Sequence, residues 1–373
     1  MNRRAFLKSA SAAACAWSLT GRHALAQLAT LPTWQTHEVT TSVEVLNPSG
    51  VTRLWIPTPL TVETPFQRSF EPTVHSVGAS VKTLEHAPGQ PGMISAVFPA
   101  GVKPALTVTT RVSTRNWSVD LEPPRMGSAI PSQPAAHSAE LEAFLQPTLY
   151  VPTTGIVAQK SQEITRGTQS DEDKAHAIYT WIVENTFRNP KTRGCGRGDI
   201  RFMLESGDLG GKCADLSALF VGLARAAGLP ARDVYGLRIG PSRMGYKSLG
   251  TSTDRSTSAQ HCRAEVYLTR HGWVPVDPAD VRKLILEEPG NLTLDSPKIQ
   301  TATTRFFGSW EMNWMAYNYA QDVTLPGSTG PRLPFFMYPQ AETADGRLDS
   351  LAPDTFHYEI TSREVNPEAN PRS

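Results

Sequence analysis

The chain has 373 residues, of which 19% are charged and 39% hydrophobic, and its formal net charge is +1. This length predicts two or three domains, and the composition excludes a disordered chain and a bundle of membrane helices. No stretch approaches the roughly 18 uninterrupted apolar residues that a membrane-spanning helix needs. The near-neutral charge favours neither nucleic acid nor an anionic membrane surface as a partner.

Residues 1–26 have the pattern of an export signal rather than of a folded element. Arg3-Arg4 precedes an apolar pair, an Ala-rich run covers residues 10–19, and Ala24 and Ala26 provide a cleavage site. This start resembles a twin-arginine export signal. We therefore expect a periplasmic or secreted protein whose mature form does not insert into a membrane. Cleavage would remove four of the 36 basic residues and none of the 35 acidic ones, which leaves a net charge of −3.

Residues 27–120 are predicted to form a β domain. Residues 38–46 are rich in β-branched side chains and end at a turn cluster, and residues 51–56 are expected to be their partner strand. Residues 105–112 form a third predicted strand. These segments favour a small antiparallel sandwich or barrel-like domain without a polar cluster that would suggest chemistry.

The rest of the chain divides into three predicted regions. Residues 121–152 contain repeated prolines and are typical of a linker. Residues 153–288 are the predicted catalytic core, which opens with a helix capped at Ser170. Residues 289–373 form an aromatic and Pro-rich extension that we expect to be irregular apart from a strand at 355–361. This extension is expected either to cover the core or to form one wall of a cleft.

A glycine-rich turn leads into a predicted helix at Cys213. Gly210-Gly211 is poorly suited to a helix, whereas apolar residues recur at helical spacing over 216–227, and Gly228 ends the pattern. Unpaired amides and the positive end of the helix would stabilise a thiolate at Cys213 and lower its pKa. The same amides could donate to the oxyanion of a tetrahedral intermediate. Cys213 is therefore the predicted nucleophile.

A strand–turn–strand pattern further along supplies a predicted base and its partner. Residues 261–268 alternate as a strand, and residues 273–277 return as a second strand. Residues equidistant from a turn face each other, so His261 is expected to lie opposite Asp277 to Asp280. A carboxylate there would set the imidazole tautomer and support the imidazolium. Asp277 is the predicted orienting residue, and Asp280 is the alternative.

These motifs resemble those of the transglutaminase-like (papain-like thiol) superfamily. Gly211-Lys212-Cys213 matches the family's Gly-x-Cys at a helix start, and residues 228–232 match the following G-L-P-A-R. His261 opens the next strand, and residues 273–278 match W-x-x-x-D-P. The likeness covers residues 150–285. It implies an α+β fold, with a papain-like core preceded by an antiparallel β domain, and a triad of Cys213 as nucleophile, His261 as base and Asp277 as orienter.

Three cysteines would remain after removal of the signal, namely Cys195, Cys213 and Cys262. Strand alternation predicts that Cys262 lies on the face opposite His261 and away from the catalytic face. We expect Cys195 and Cys262 either to form a disulfide or to remain two free thiols. A Cys₃His zinc site is disfavoured because the ligand spacings differ from those of structural zinc sites. No metal and no cofactor is predicted.

The favoured function is a thiol enzyme that attacks peptide or carboxamide carbonyls and forms a thioester at Cys213. Water as acceptor would make it a peptidase or amidase, and an amine would make it a transglutaminase, a choice that depends on how the site excludes water. The expected partner is a peptide or protein substrate. The alternative is a non-catalytic binding or assembly module that retains the fold, which a cleft filled by the C-terminal segment would favour. The sequence predicts no oligomeric state.

Overall fold

The helices lie mainly in the middle of the chain. The computed structural model describes residues 33–121 and 138–366. No helix in these ranges is long and apolar enough to cross a membrane. A 3-10 turn spans Lys247–Leu249. The α-helices are α1 (Ser138–Ala143), α2 (Ile156–Ile164), α3 (Asp171–Asn185), α4 (Ile200–Ser206), α5 (Cys213–Ala226), α6 (Pro278–Glu287) and α7 (Pro297–Arg305).

The strands lie on both sides of this helical region and also within it. Those before α1 are β1 (Gln35–Val45), β2 (Thr52–Pro57), β3 (Gln67–Ser69), β4 (Thr73–Ser76), β5 (Ser80–Leu84), β6 (Met93–Phe98), β7 (Ala105–Thr114) and β8 (Trp117–Ser118). Those of the middle region are β9 (Phe187–Arg188), β10 (Gly210–Gly211), β11 (Ala231–Arg238), β12 (Gln260–Leu268) and β13 (Gly272–Val276). The remaining strands are β14 (Ser309–Trp310), β15 (Trp314–Asn318), β16 (Gln321–Val323), β17 (Leu333–Phe335), β18 (Gln340–Thr343), β19 (Gly346–Arg347) and β20 (Phe356–Val365).

Two antiparallel sheets form the N-terminal β region. One has the order β20-β1-β7-β3, with β4 also on β7, and the other has the order β19-β18-β2-β6-β5. Along β1 every second residue from His37 to Val45 is buried, as expected for a strand with one face on a core. Val43 of the first sheet and Leu54 of the second belong to one hydrophobic cluster. The two sheets therefore share a core, as in a sandwich.

The expected hairpin between residues 38–46 and 51–56 is wrong. β1 pairs with β7 and β20, whereas β2 pairs with β6 and β18 in the other sheet. Both edges of β1 are therefore occupied by strands that are distant in sequence. The turn cluster at 47–50 carries the chain from one sheet to the other, so short-range spacing did not decide the pairing.

The central sheet has the order β13-β12-β11-β15, and α5 packs against β11 and β12. Every residue of β11 is buried because both faces of the sheet are covered. An aromatic cluster that includes Phe66 and Trp117 packs on the face away from α5, around Val234 and Trp314. The sheet is thereby held between the helix that carries the predicted nucleophile and side chains of the β region.

The C-terminal extension is not irregular, and that expectation is wrong. β15 is an edge strand of the central sheet, while β18 and β20 complete the two N-terminal sheets. The described part of the predicted linker also packs on the core, because the Phe144 carbonyl accepts from the Ala231 amide and its ring contacts Trp273. The predicted strand at 355–361 corresponds to β20. The domain boundaries themselves stay predictions, and the export signal lies outside the described residues.

Candidate active site

Cys213 is the first residue of α5, as the sequence predicts. The glycine turn before it forms β10, which pairs with β9, and a Cβ on Gly210 would lie 2.3 Å from the ring of Phe187. A Cβ on Gly211 would lie 2.5 Å from the Cβ of Asp215. Glycine is therefore required here for close approach, which lets the chain enter the helix directly at the nucleophile.

The Asp215 side chain binds the loop at residues 197–198 to the start of α5. Its Oδ1 accepts from the amides of Arg197 and Gly198 at 2.8 and 2.9 Å, and its Oδ2 accepts from the Lys212 amide at 3.0 Å. The Ala214 amide donates to the Cys195 carbonyl at 2.9 Å. The Ala214 amide is therefore not free to donate to an oxyanion. Of the amides at the helix start, the Cys213 amide is the remaining candidate donor, because it has no acceptor among the described hydrogen bonds.

His261 lies at the start of β12 and contacts both other residues of the predicted triad. Its Nε2 is 2.8 Å from Asp277 Oδ2, and its ring is near enough to the Cys213 thiol to lower the pKa of that thiol. Since Nε2 faces the carboxylate, Nδ1 is the nitrogen left for the thiol. Asp277 is the N-cap of α6, and its Oδ1 accepts from the Asp280 amide at 2.9 Å. One carboxyl group thus both caps the helix and orients the imidazole.

Two arginines and a second carboxylate surround the His261–Asp277 pair. Asp280 Oδ1 lies 3.4 Å from His261 Nε2 and pairs with the buried guanidinium of Arg238. Arg263 Nε is 3.5 Å from Asp277 Oδ2. Asp277 is therefore the direct hydrogen-bond partner of His261, while Asp280, the alternative, is bound mainly to Arg238. No motif of the sequence includes Arg238, which lies at the end of β11, six residues after Arg232.

These charges shift the pKa values of the site in a consistent direction. Burial and Arg238 lower the pKa of His261, but the carboxylates of Asp280 and Asp277 outweigh them and raise it above its ordinary value. Burial and the neighbouring Asp280 raise the pKa of Asp277. Burial also acts to raise the pKa of Asp280, but Arg238 and the other nearby positive groups lower it. The surroundings therefore favour an imidazolium at His261.

Three free, buried cysteines meet at the nucleophile: Cys195, Cys213 and Cys262. Hydrogen bonds from the thiols of Cys195 and Cys262, and then from His261, lower the pKa of Cys213 despite its burial. The disulfide between Cys195 and Cys262 is absent from the described structure, so the free-thiol alternative holds. The expected separation of Cys262 from the catalytic face is wrong. Cys213 lies near the start of β12, where the Cys262 thiol and the His261 imidazole both act on its thiol.

His261, Asp277 and Asp280 are the group of described residues whose donor atoms best fit a metal ion. One donor atom from each lies within 4.8 Å of the others. The guanidinium groups of Arg238 and Arg263 already neutralise these carboxylates, and an added cation would meet their repulsion. The arrangement is explained as a charge network around the base.

The thiol and imidazole are covered from solvent. Cys213 and His261 are each 4% exposed. The loop at Cys195 lies over the helix start, and its Gly194 approaches Leu351 and the Tyr338 hydroxyl. Arg193 pairs with Asp349 at the same place. The loop around Cys195 therefore lies between Cys213 and residues of the C-terminal region. No local sequence pattern predicts this arrangement.

Comparison with known proteins links the central region to one family. The model of the transglutaminase-like superfamily matches residues 158–278. An uncharacterised protein of Haemophilus influenzae (strain ATCC 51907 / DSM 11121 / KW20 / Rd) is 33% identical over 344 residues, which cover 88% of this chain and 91% of that protein. The relationship therefore extends well beyond the matched core.

One solved structure shows the same fold at low identity. A candidate cysteine protease from Cytophaga hutchinsonii superposes with a TM-score of 0.51 at 13% identity, covering 91% of this chain and 94% of that one. The periplasmic domain of TgpA from Pseudomonas aeruginosa gives a TM-score of 0.36 at 15% identity, with 67% and 90% coverage. The first of these likenesses shows that the fold extends over the β region and the core together.

Proposed function

The chain belongs to the transglutaminase-like superfamily, and on that premise we propose that it is a cysteine-dependent enzyme that transfers the acyl group of a peptide or carboxamide. The observation that carries the proposal is the line of three side chains, with Cys213 beside His261 and His261 beside Asp277. The distance from His261 Nε2 to Asp277 Oδ2 is 2.8 Å. A thiol, a base and an orienting carboxylate in hydrogen-bond reach are the components of nucleophilic acyl transfer.

The proposed reaction assigns one proton path to these groups. His261 takes the Cys213 proton, and the thiolate adds to the carbonyl carbon to give a tetrahedral oxyanion that accepts from the Cys213 amide. Collapse breaks the C–N bond, and the imidazolium gives its proton to the leaving amine. The resulting thioester is then attacked by water or an amine, whose proton returns through His261 to the Cys213 sulfur. Asp277 holds the ring with Nδ1 toward sulfur throughout.

The acceptor is decided by a product experiment. The protein is given a carboxamide-bearing peptide and an excess of a primary amine, and the products are identified by mass spectrometry. Free acid with ammonia supports an amidase or peptidase, and a new secondary amide supports a transglutaminase. Neither product across a peptide panel, while Cys213 labels rapidly, would contradict catalysis on this substrate class.

Activation of the nucleophile is tested by alkylation without a substrate. Purified, unreduced protein is treated with iodoacetamide at pH 6 to 7 and mapped by peptide mass spectrometry. Fast labelling confined to Cys213 and slowed by His261→Ala is expected, with the exposed His357→Ala as matched control. A Cys213 that labels no faster than a free peptide thiol would contradict the proposal.

The second candidate function is a non-catalytic binding module, which one observation favours. Cys213 is only 4% exposed, and the loop over it is held by C-terminal residues. A module of this kind would bind a peptide equally well with Cys213→Ala and would show no product in the experiment above. Calorimetry of both variants with the same peptide panel separates the two functions.

We also propose that the mature protein acts in the periplasm or after secretion. Support comes from the paired arginines, apolar run and small residues of positions 1–26. Cell fractionation is expected to find the cleaved protein outside the cytoplasm, and Arg3→Lys with Arg4→Lys to retain it inside. Export that is unaffected by the double substitution would contradict a twin-arginine route.

A further inference from the structure

The acyl-transfer mechanism uses one of three sulfur atoms that lie together. The thiols of Cys195 and Cys262 are near enough to that of Cys213 to lower its pKa. The sulfur of Cys262 also lies 3.8 Å from that of Met337. Both are buried free thiols, and neither forms or breaks a bond in the proposed acyl transfer.

Cys195 is held beside the nucleophile through the backbone as well. Its carbonyl accepts from the amide of Ala214 at 2.9 Å, and its Sγ lies 3.3 Å from the Gln260 carbonyl oxygen. The first hydrogen bond places residue 195 alongside the residue that follows Cys213. A disulfide requires adjacent backbones, and this hydrogen bond brings the backbone at Cys195 beside that at Cys213.

The loop around Cys195 can make the small movement that bridging needs, whereas the position of Cys262 cannot. Cys195 lies between Gly194 and Gly196, whose φ values are 57° and 95°, in a turn outside any helix or strand. Cys262 lies within β12 and is paired with Tyr235 of β11. A backbone shift at Cys262 would break ladder hydrogen bonds, so Cys195 is the better partner for Cys213.

We propose that Cys195 is a resolving thiol that converts oxidised Cys213 into a reversible disulfide. In the first step the Cys213 thiolate attacks one oxygen of hydrogen peroxide, and the O–O bond breaks. Cys213 becomes a sulfenic acid, and the released hydroxide takes the proton of the His261 imidazolium to become water. In the second step the Cys195 sulfur attacks that sulfur, the S–O bond breaks, and water leaves with the Cys195 proton. The two thiols lose two electrons and one peroxide becomes two waters.

The electrostatics of the cluster agree with this order of events. The pKa of Cys213 is lowered, so it is the thiol that reacts first with peroxide. The pKa of Cys195 is raised, chiefly by its hydrogen bond to Cys213. Conversion of the Cys213 thiolate to an uncharged sulfenic acid removes that cause, and Cys195 becomes easier to deprotonate for the second step.

The consequence for function rests on the proposed acyl transfer. A disulfide at Cys213 blocks attack on a carbonyl, and a dithiol reductant restores it. Without a resolving thiol, continued exposure to peroxide takes Cys213 to the sulfinic acid, which such a reductant does not reverse. Cys195 therefore changes an irreversible loss of the nucleophile into a reversible one.

The test follows the cysteines themselves and needs no substrate. Protein is treated with hydrogen peroxide, quenched with an alkylating agent and mapped without reduction. We expect a peptide pair joined through Cys195 and Cys213 that dithiothreitol separates. In Cys195→Ser the sulfinic acid of Cys213 is expected to accumulate at least about tenfold faster. Cys262→Ser is the matched control and is expected to form the Cys195–Cys213 pair as before.

Three results would overturn the proposal: sulfinic acid at Cys213 of the unaltered protein without a disulfide, a disulfide from Cys213 to Cys262, or one from Cys195 to Cys262. If Cys195→Ser fails to fold, the map of the unaltered protein still decides. A Cys195–Cys213 disulfide in a protein without turnover would leave this inference standing and contradict the acyl-transfer function. Turnover in a protein that forms no Cys195–Cys213 disulfide would support the acyl-transfer function and contradict this inference.

Discussion

The two sides of the Cys213–His261 contact are built from different chemistry. On the sulfur side, Cys195 and Cys262 give neutral, weak hydrogen-bond donors to the nucleophile. On the imidazole side, Asp277, Asp280 and two arginines form a buried charge network. One side stabilises a thiolate with thiol donors, and the other stabilises an imidazolium with full charges.

This difference shows how a buried site can hold an ion pair. An additional cation beside the thiolate would compete with the imidazolium, whereas neutral thiols stabilise the negative charge without doing so. The carboxylates act at the far nitrogen of the ring, where they favour its protonation. Arg238 then prevents two carboxylates near one imidazole from repelling each other. The predictions that follow remove one side at a time.

Cys213→Ala is expected to have the largest effect on turnover. Loss of the nucleophile removes the thioester route, so kcat should fall by at least about 10³-fold. Steady-state assay of peptide or carboxamide cleavage measures it, and circular dichroism should show an unchanged fold. Residual activity within tenfold of the parent protein would mean that Cys213 is not the nucleophile.

Asp277→Asn breaks the orienting contact on the charged side. An amide can present its NH₂ to Nε2 and favour the wrong tautomer, so kcat is expected to fall by about 10²- to 10⁴-fold. Asp295→Asn, at an exposed position, is the control. Equal activity in the two variants would contradict the orienting role.

Arg238→Met tests whether the charge network holds the fold as well as the base. Its side chain is 4% exposed and pairs with Asp280, which is 2% exposed. Removing one partner of such a pair is expected to cost about 3–5 kcal/mol of unfolding free energy, measured by urea denaturation. Arg363→Met breaks an exposed pair with Glu38 and should cost about 1 kcal/mol or less. Equal losses would show that Arg238 is not coupled to Asp280.

The pH profile of turnover should be bell-shaped because the two groups shift in opposite directions. The acid limb follows the ionisation of Cys213, whose pKa is lowered well below 9.0. Activity is therefore lost as the pH falls through this lowered pKa, because the thiolate becomes protonated. The alkaline limb follows loss of the His261 proton, whose pKa is raised from 6.5. Asp280→Asn removes a cause of that rise and should move the alkaline limb to lower pH, with Asp295→Asn as control. An unmoved limb would contradict the electrostatic role of Asp280.

Tyr338→Ala is expected to have the smallest effect, on access rather than chemistry. Its hydroxyl lies against Gly194, which precedes Cys195 in the loop over Cys213. Loosening this cover should raise the rate of Cys213 alkylation by about three- to tenfold through local opening. Phe70→Ala, an exposed aromatic elsewhere, is the control. An unchanged rate would show that access does not pass beneath Tyr338.

Short-range physics was enough to predict the positions of Cys213, His261 and Asp277 in the fold. A glycine turn before an apolar helical stripe predicts the start of α5 at Cys213, because helix termini follow from local backbone preferences. The turn at 269–272 brings the start of β12 near Asp277, because hairpin register depends on the turn. The Ser170 cap of α3 is likewise present, with reciprocal hydrogen bonds to Asp173.

Tertiary structure alone decided the pairing of β1 with β20, the place of Cys195 beside Cys213 and the pairing of Arg238 with Asp280. Each joins residues with no common local motif, and the sequence pattern of one partner carries no information on the other. A strand pattern states which face is buried but not which strand adjoins it. The position of Cys213 at a helix start is thus encoded by its neighbours in the chain. Packing instead decides which thiols lie beside it, which charges surround His261 and which segments cover both residues.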